Sequence, residues 1–168
     1  MTQVMLQGKP IHTSSNLPTK HSQAPDFVLV NRDLQDRTLA SYKGKTKLIA
    51  TVPSLDTGVC STMTKQLNQL AKSHPNVQFI VVSADLPFAQ KRFCSVENIQ
   101  NLETLSMMRS KEFGKSYGIL IQDGPLAGIL ARSITILDEK DHVIYTELVS
   151  EITHEPDYPK AMQALKLL

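Results

Sequence analysis

The chain has 168 residues, with 41% hydrophobic and 20% charged side chains and a formal net charge of +2. That is one globular domain, 1–168, large enough for a real core, and its charge is too small to argue for nucleic acid or an anionic membrane as a partner. No apolar run is long enough to span a bilayer, and the first ten residues lack the charged start and apolar stretch of a secretory signal, so a cytoplasmic protein is expected.

Taken in order, Val4-Met5-Leu6 and Pro10-Ile11-His12 flank Gly8-Lys9 and predict a small hairpin. A polar loop follows from Thr13 to Gln23, then a short strand over Asp26–Val30 and a turn-rich stretch from Leu34 to Lys45, with Gly44 as a stop. Leu48-Ile49-Ala50-Thr51-Val52 reads as a buried strand ended by Pro53, which cannot donate to a central ladder. A helix begins near Val59 and runs to about Lys72. Val77–Ser83 is almost continuously apolar, as in a parallel strand covered on both faces. Two such strands joined by a helix form a βαβ unit with a right-handed crossover.

Pro87 to Asn98 predicts a short helix, Glu103–Leu105 a short strand and Ser110–Tyr117 another short helix stopped by Gly118. After a loop from Ile119 to Gly128, Ala131–Leu137 and His142–Val149 form an antiparallel hairpin around Asp138–Asp141. A last helix starts near Asp157, with Pro159 in its first turn and Tyr158, Ala161, Met162, Leu165 and Leu168 on its apolar face. A βαβ unit followed by ββα is the thioredoxin-like layout. The expected fold class is therefore α/β, a central mixed sheet flanked by helices, with an N-terminal β-hairpin extension.

Two cysteines are too few for a disulfide scaffold, and the five histidines are scattered without metal spacing. Cys60 falls in the first turn of a helix that follows a strand. Free N–H groups and the positive end of the helix dipole favour a thiolate there, and Asp56 or Thr57 is placed to cap the helix. At about 100° per residue Cys60 also shares a stripe with Met63, Leu67, Leu70 and Ala71, so a plain core cysteine and a shielded nucleophile both fit. Thioredoxin-type motifs carry a second cysteine three positions on; here that position is Met63, which excludes a CxxC oxidoreductase. In the next predicted helix Phe88, Ala89, Phe93 and Val96 share one face and Cys94 projects opposite it, one turn from Lys91, so an accessible thiol is expected. Arg132 shares strand parity with Ile134 and Ile136, and a cation on an apolar face needs an anionic partner or a strand end.

Pro53, Thr57 and Cys60 match the Pro-x-x-x-Thr-x-x-Cys signature of peroxiredoxins, and the whole string Pro53 to Cys60 resembles the thiol peroxidase branch, the atypical two-cysteine members of that family. Three further strings agree in order: Ser83 to Cys94, Asp123 to Leu126, and Glu151 to Tyr158. The resemblance spans Val4 to the C-terminus. It implies the same thioredoxin-like fold and a thiol peroxidase acting on hydrogen peroxide and alkyl or lipid hydroperoxides. Cys60 would be the nucleophile, Arg132 the active-site arginine that holds its thiolate, and Pro53 and Thr57 the residues that shape the loop and bring a hydroxyl near the sulfur. An ordinary cysteine, with a pKa of about 8.5, is only a few per cent ionised at neutral pH, so such help is needed. Cys94 would resolve the resulting sulfenic acid as an intramolecular disulfide, reduced in turn by thioredoxin. The resemblance also implies a homodimer; no cofactor or metal is expected.

Two other functions fit these residues: a redox sensor whose disulfide alters a surface, and a thioredoxin-like binding module with inert cysteines. The phases of the two thiols carry one more expectation. A disulfide needs Cα atoms about 4.4–6.8 Å apart and converging Cβ vectors. Thiols on two separate helices, one turned inward and one outward, require at least one of those segments to unwind.

Overall fold

The computed structural model describes residues 1–166. The chain opens on a hairpin, β1 (Thr2–Leu6) and β2 (Lys9–Thr13), whose turn places Gln7 and Gly8 at φ 51° and 78°. Two left-handed residues match the twist of the flanking strands, and Gly8 adopts that backbone without a Cβ penalty. There follow β3 (Leu29–Val30), β4 (Asp36–Arg37), a 3-10 turn (Leu39–Tyr42), β5 (Thr46–Thr51), α1 (Gly58–Ser73) and β6 (Val77–Ser83). The second half holds α2 (Pro87–Val96), β7 (Glu103–Ser106), α3 (Glu112–Ser116), β8 (Ser133–Leu137), β9 (Val143–Leu148) and α4 (Tyr158–Lys166). Leu168, expected on the apolar face of the last helix, lies outside the described residues; Ala161 and Leu165 are buried on that face. Among the described residues no helix is long and apolar enough to cross a membrane.

The strand expected over Asp26–Val30 keeps only its last two residues. The Asp26 carboxylate accepts the N–H groups of Phe27 (2.8 Å) and Leu39 (3.1 Å), a local bonding pattern that competes with a ladder.

The main sheet runs β4-β3-β7-β6-β5-β8-β9. β5 and β6 pair in parallel from Thr46↔Val77 to Thr51↔Val82, with α1 as the crossover, and β8 pairs antiparallel with β5 on its other side. This is the expected thioredoxin-like arrangement. Strand alternation sorts two cores. Leu48, Ala50 and Val52 pack with Cys60, Met63, Leu67, Ile134, Ile136 and α4, while Ile49, Ile80 and Val82 pack on the far face with Phe27, Phe113, Tyr117 and the N-terminal hairpin. Both faces of β5 and β6 are therefore covered, which is why the runs Leu48-Ile49-Ala50 and Phe79-Ile80-Val81-Val82 are apolar without alternation.

The orientation of α2 departs from its sequence pattern. Its inward face is Pro87, Gln90 and Cys94, while Phe88 is 66% and Val96 75% exposed. The expectation of an accessible Cys94 is thus corrected: the residue is buried, at 2%. What the helix faces decides the matter. Beneath it lie the Leu105 carbonyl and the hydroxyls of Ser83 and Thr104, which Gln90 and Cys94 meet and a phenylalanine could not.

Candidate active site

Val52 continues β5 by donating its N–H to the Val82 carbonyl (3.1 Å), and at the buried Pro53 the ladder stops. The next residues form a tight loop: the Thr57 N–H donates to the Ser54 carbonyl at 3.2 Å, and the Thr57 hydroxyl to the same oxygen at 3.2 Å. Thr57 is the residue that caps α1, not Asp56. Its Oγ1 accepts the Cys60 N–H at 3.4 Å, meeting one of the donors left free at a helix start. Among the described residues its hydroxyl bonds to backbone, not to the Cys60 sulfur.

Cys60 is fully buried. Its Sγ lies 3.3 Å from Arg132 Nη2, and Arg132 Nη1 reaches Met63 Sδ at 3.5 Å. The Arg132 Nε donates to the Ile152 carbonyl at 3.0 Å. Arg132 is itself only 1% exposed and sits just ahead of β8, on the parity of Ile134 and Ile136, as the sequence predicts. Among the described residues, none of its three nitrogens meets a carboxylate. A guanidinium taken out of water without a counter-ion is costly, and a negative charge on the Cys60 sulfur would balance it.

A cleft of about 280 Å³ opens at the first turn of α1, lined by Leu55, Asp56, Thr57, Gly58 and Ser61 and, from α2, by Phe93 and Val96 among others. It joins the helix that carries Cys60 to the helix that carries Cys94. Both cysteines are free thiols. The Cys94 sulfur lies 3.8 Å from Thr104 Oγ1, and burial pushes its pKa up against the opposing pull of Thr104 and the Arg32 guanidinium.

Residues 19–165 match the Redoxin family. The thiol peroxidase of Leptospira interrogans is 46% identical over 166 residues, 98% of this chain and 97% of that protein. The crystal structure of a peroxiredoxin-like protein from Aquifex aeolicus covers 100% of this chain and 98% of its own with a TM-score of 0.93 at 41% identity. The thiol peroxidase from Chromobacterium violaceum gives 0.92 at 26% identity, covering 98% of this chain and 95% of its own. The chain belongs to the peroxiredoxins.

Two supports of this peroxiredoxin's site, Asp85 and Glu151, fall within the matching strings but have no role in the sequence reading. Asp85, just past the end of β6, accepts the Ser54 hydroxyl (2.7 Å), the Leu55 N–H (2.8 Å) and the Ser83 hydroxyl (2.7 Å), and so fixes the loop ahead of Cys60. Its signal is its place, because polar residues just outside the C-terminal ends of parallel strands are where such folds assemble sites. Glu151 works from the other side. Its carboxylate accepts the N–H groups of Gln7 and Gly8, each at 3.0 Å, and Ile152 donates its N–H to the Met5 carbonyl at 2.9 Å. The N-terminal hairpin thereby anchors the segment whose Ile152 carbonyl holds Arg132. Those backbone donors, Gly8 first, hold the Glu151 carboxyl well below its ordinary value, at about 2.

Proposed function

We propose that this peroxiredoxin, a thiol-dependent peroxidase, reduces hydrogen peroxide and organic hydroperoxides at Cys60 and closes its cycle through a disulfide with Cys94 of the same chain. The observation that carries the reading is the buried Arg132 guanidinium, 3.3 Å from the Cys60 sulfur and, among the described residues, without a carboxylate partner. A binding module with inert cysteines has no use for an unpaired cation in its core.

In the first step the Cys60 thiolate attacks the outer peroxide oxygen. A sulfur–oxygen bond forms, the O–O bond breaks, and two electrons pass from sulfur to the peroxide. The alkoxide or hydroxide leaves with a proton as alcohol or water, and Cys60 becomes a sulfenic acid. Arg132 faces the negative charge as it moves from sulfur to the departing oxygen. Thr57 holds the first turn of α1, and Pro53 ends the strand so that the loop can return over it.

In the second step Cys94, the only other thiol in the sequence, attacks the Cys60 sulfur; the S–S bond forms and the sulfenic oxygen leaves as water. The two sulfurs face different neighbours, Arg132 ahead of β8 and Thr104 on β7. In the sheet order those strands stand three spacings apart, roughly 14 Å. Bond formation therefore requires a local opening, for which the short α2 is the better candidate. A thioredoxin-type dithiol reductant then restores both thiols. A cytoplasmic location fits that reducing partner, and a homodimer fits the exposed Leu86, Phe88 and Val96 beside the site.

The test is a coupled peroxidase assay with thioredoxin and its reductase. Wild type turns over; Cys60→Ser is inactive; Cys94→Ser reduces about one equivalent of peroxide and then stalls. Sustained turnover by either variant contradicts the assignment of that cysteine.

A further inference from the structure

The inward face of α2 holds a polar side chain that the chemistry above does not use. Gln90 is fully buried, and its Nε2 donates to Ser83 Oγ (3.0 Å) and to the Leu105 carbonyl (2.9 Å). Its Oε1 is buried with no hydrogen-bond partner among the described residues. A long polar side chain half-satisfied in a core is a poor choice for stability alone, since an apolar residue of that volume would leave no orphan acceptor.

Two placements give the arrangement a meaning. Gln90 and Cys94 lie four residues apart on one helical face, so the amide fastens to the sheet the same face that carries the thiol. The acceptor of Gln90, Ser83 Oγ, also donates to Asp85 Oδ2 at 2.7 Å, and Asp85 Oδ2 accepts the Leu55 N–H at 2.8 Å. One continuous chain of hydrogen bonds thus runs from the loop ahead of Cys60, through Asp85 and Ser83, to the helix of Cys94.

We infer that Gln90 is a positioning residue that latches α2 in its closed state, and that its two donor bonds set how often Cys94 is released to meet the oxidised Cys60. This rests on the reading of Cys60 and Cys94 as the reacting pair. The unpartnered Oε1 keeps the latch weak enough to open, and the two donor bonds keep it strong enough that the peroxide pocket is formed for most of the time. Whether opening is itself rate-limiting or a rapid equilibrium before bond formation, a weaker latch raises the observed disulfide rate.

The experiment is rapid-mixing single turnover with one equivalent of hydrogen peroxide, following sulfenic acid and disulfide separately by quenching and mass spectrometry. Gln90→Ala leaves Ser83 Oγ and the Leu105 carbonyl without their donor. It is expected to speed disulfide formation at least fivefold while the peroxide step stays within twofold. At excess peroxide it should also lower the fraction of Cys60 oxidised further to sulfinic acid, a partition that a merely structural side chain would not shift in this direction. Should Gln90→Ala fail to fold, Gln90→Met keeps the side-chain length and removes both donor bonds, and the same acceleration of the disulfide step is expected. An unchanged or slower disulfide step in the folded variant overturns the inference. Absence of a Cys60–Cys94 disulfide in wild type would instead overturn the reading on which it rests.

Discussion

Arg132→Met separates an arginine that serves the Cys60 anion from one that serves the core. Met keeps the length and apolar stem and removes the charge. At the 3.3 Å between Nη2 and Cys60 Sγ, two unit charges at an effective dielectric constant of about 20 interact by about 5 kcal/mol. Water admitted in place of the guanidinium recovers part of this; a loss of half, about 2.5 kcal/mol, slows the peroxide step roughly 50- to 100-fold. Stability should respond quite differently. The guanidinium makes one bond to a backbone oxygen, Ile152, and, among the described residues, none to a carboxylate; Met removes the cost of keeping that cation out of water, which offsets the hydrogen bond the Ile152 carbonyl loses. The thermal midpoint should therefore stay within about 4 °C of wild type, the shift that about 1 kcal/mol produces in a domain of this size. The assay is single-turnover peroxide consumption at neutral pH beside a thermal melt of the same sample. A rate within threefold of wild type, or a rate loss matched by collapse of the fold, would refute the reasoning.

Thr57→Val removes the acceptor of the Cys60 N–H; a loss of about 1 kcal/mol and a several-fold slower peroxide step are expected, and an unchanged melt would show that the cap carries no weight. Glu151 has its ordinary value of 4.5 lowered to about 2 in the fold, so its contribution is fully present above pH 4.5 and is lost as pH falls towards 2. The gap in thermal midpoint between wild type and Glu151→Gln should accordingly close across that window, and a gap independent of pH would contradict the role given to its backbone donors. In Cys60→Ser the buried Cys94, with its pKa raised by burial, should be alkylated far more slowly than a free cysteine, and urea below the global unfolding midpoint should speed the reaction. Labelling at the rate of a free thiol would mean that α2 is not closed in solution.

Much of this was legible in the residues, for reasons that differ between elements. β5 and β6 announce themselves because both faces are buried, and α1 because its apolar stripe and its capping Thr57 agree. Strand parity places Arg132 on the apolar face of Ile134 and Ile136, but it allows a strand end as well as an anionic partner, and the link to Cys60 comes from the family resemblance. α2 misleads because periodicity ranks faces by apolarity alone. The surface it covers presents a carbonyl and two hydroxyls, so the face with Gln90 and Cys94 turns inward and Phe88 turns out. The roles of Asp85 and Glu151 escape for a related reason. Each acts on backbone donors of a distant segment, the loop at Leu55 and the turn at Gln7-Gly8, and no local pattern records which carboxylate meets which N–H.

The central claim is that one chain holds both halves of the redox couple. The most direct measurement is mass spectrometry of the reduced protein after one equivalent of hydroperoxide, with no reductant present. The account predicts loss of both thiols and one intrachain link between the peptides that contain Cys60 and Cys94, at one disulfide per peroxide consumed. Peroxide consumed while Cys94 stays a free thiol, or a link found only between chains, would contradict it.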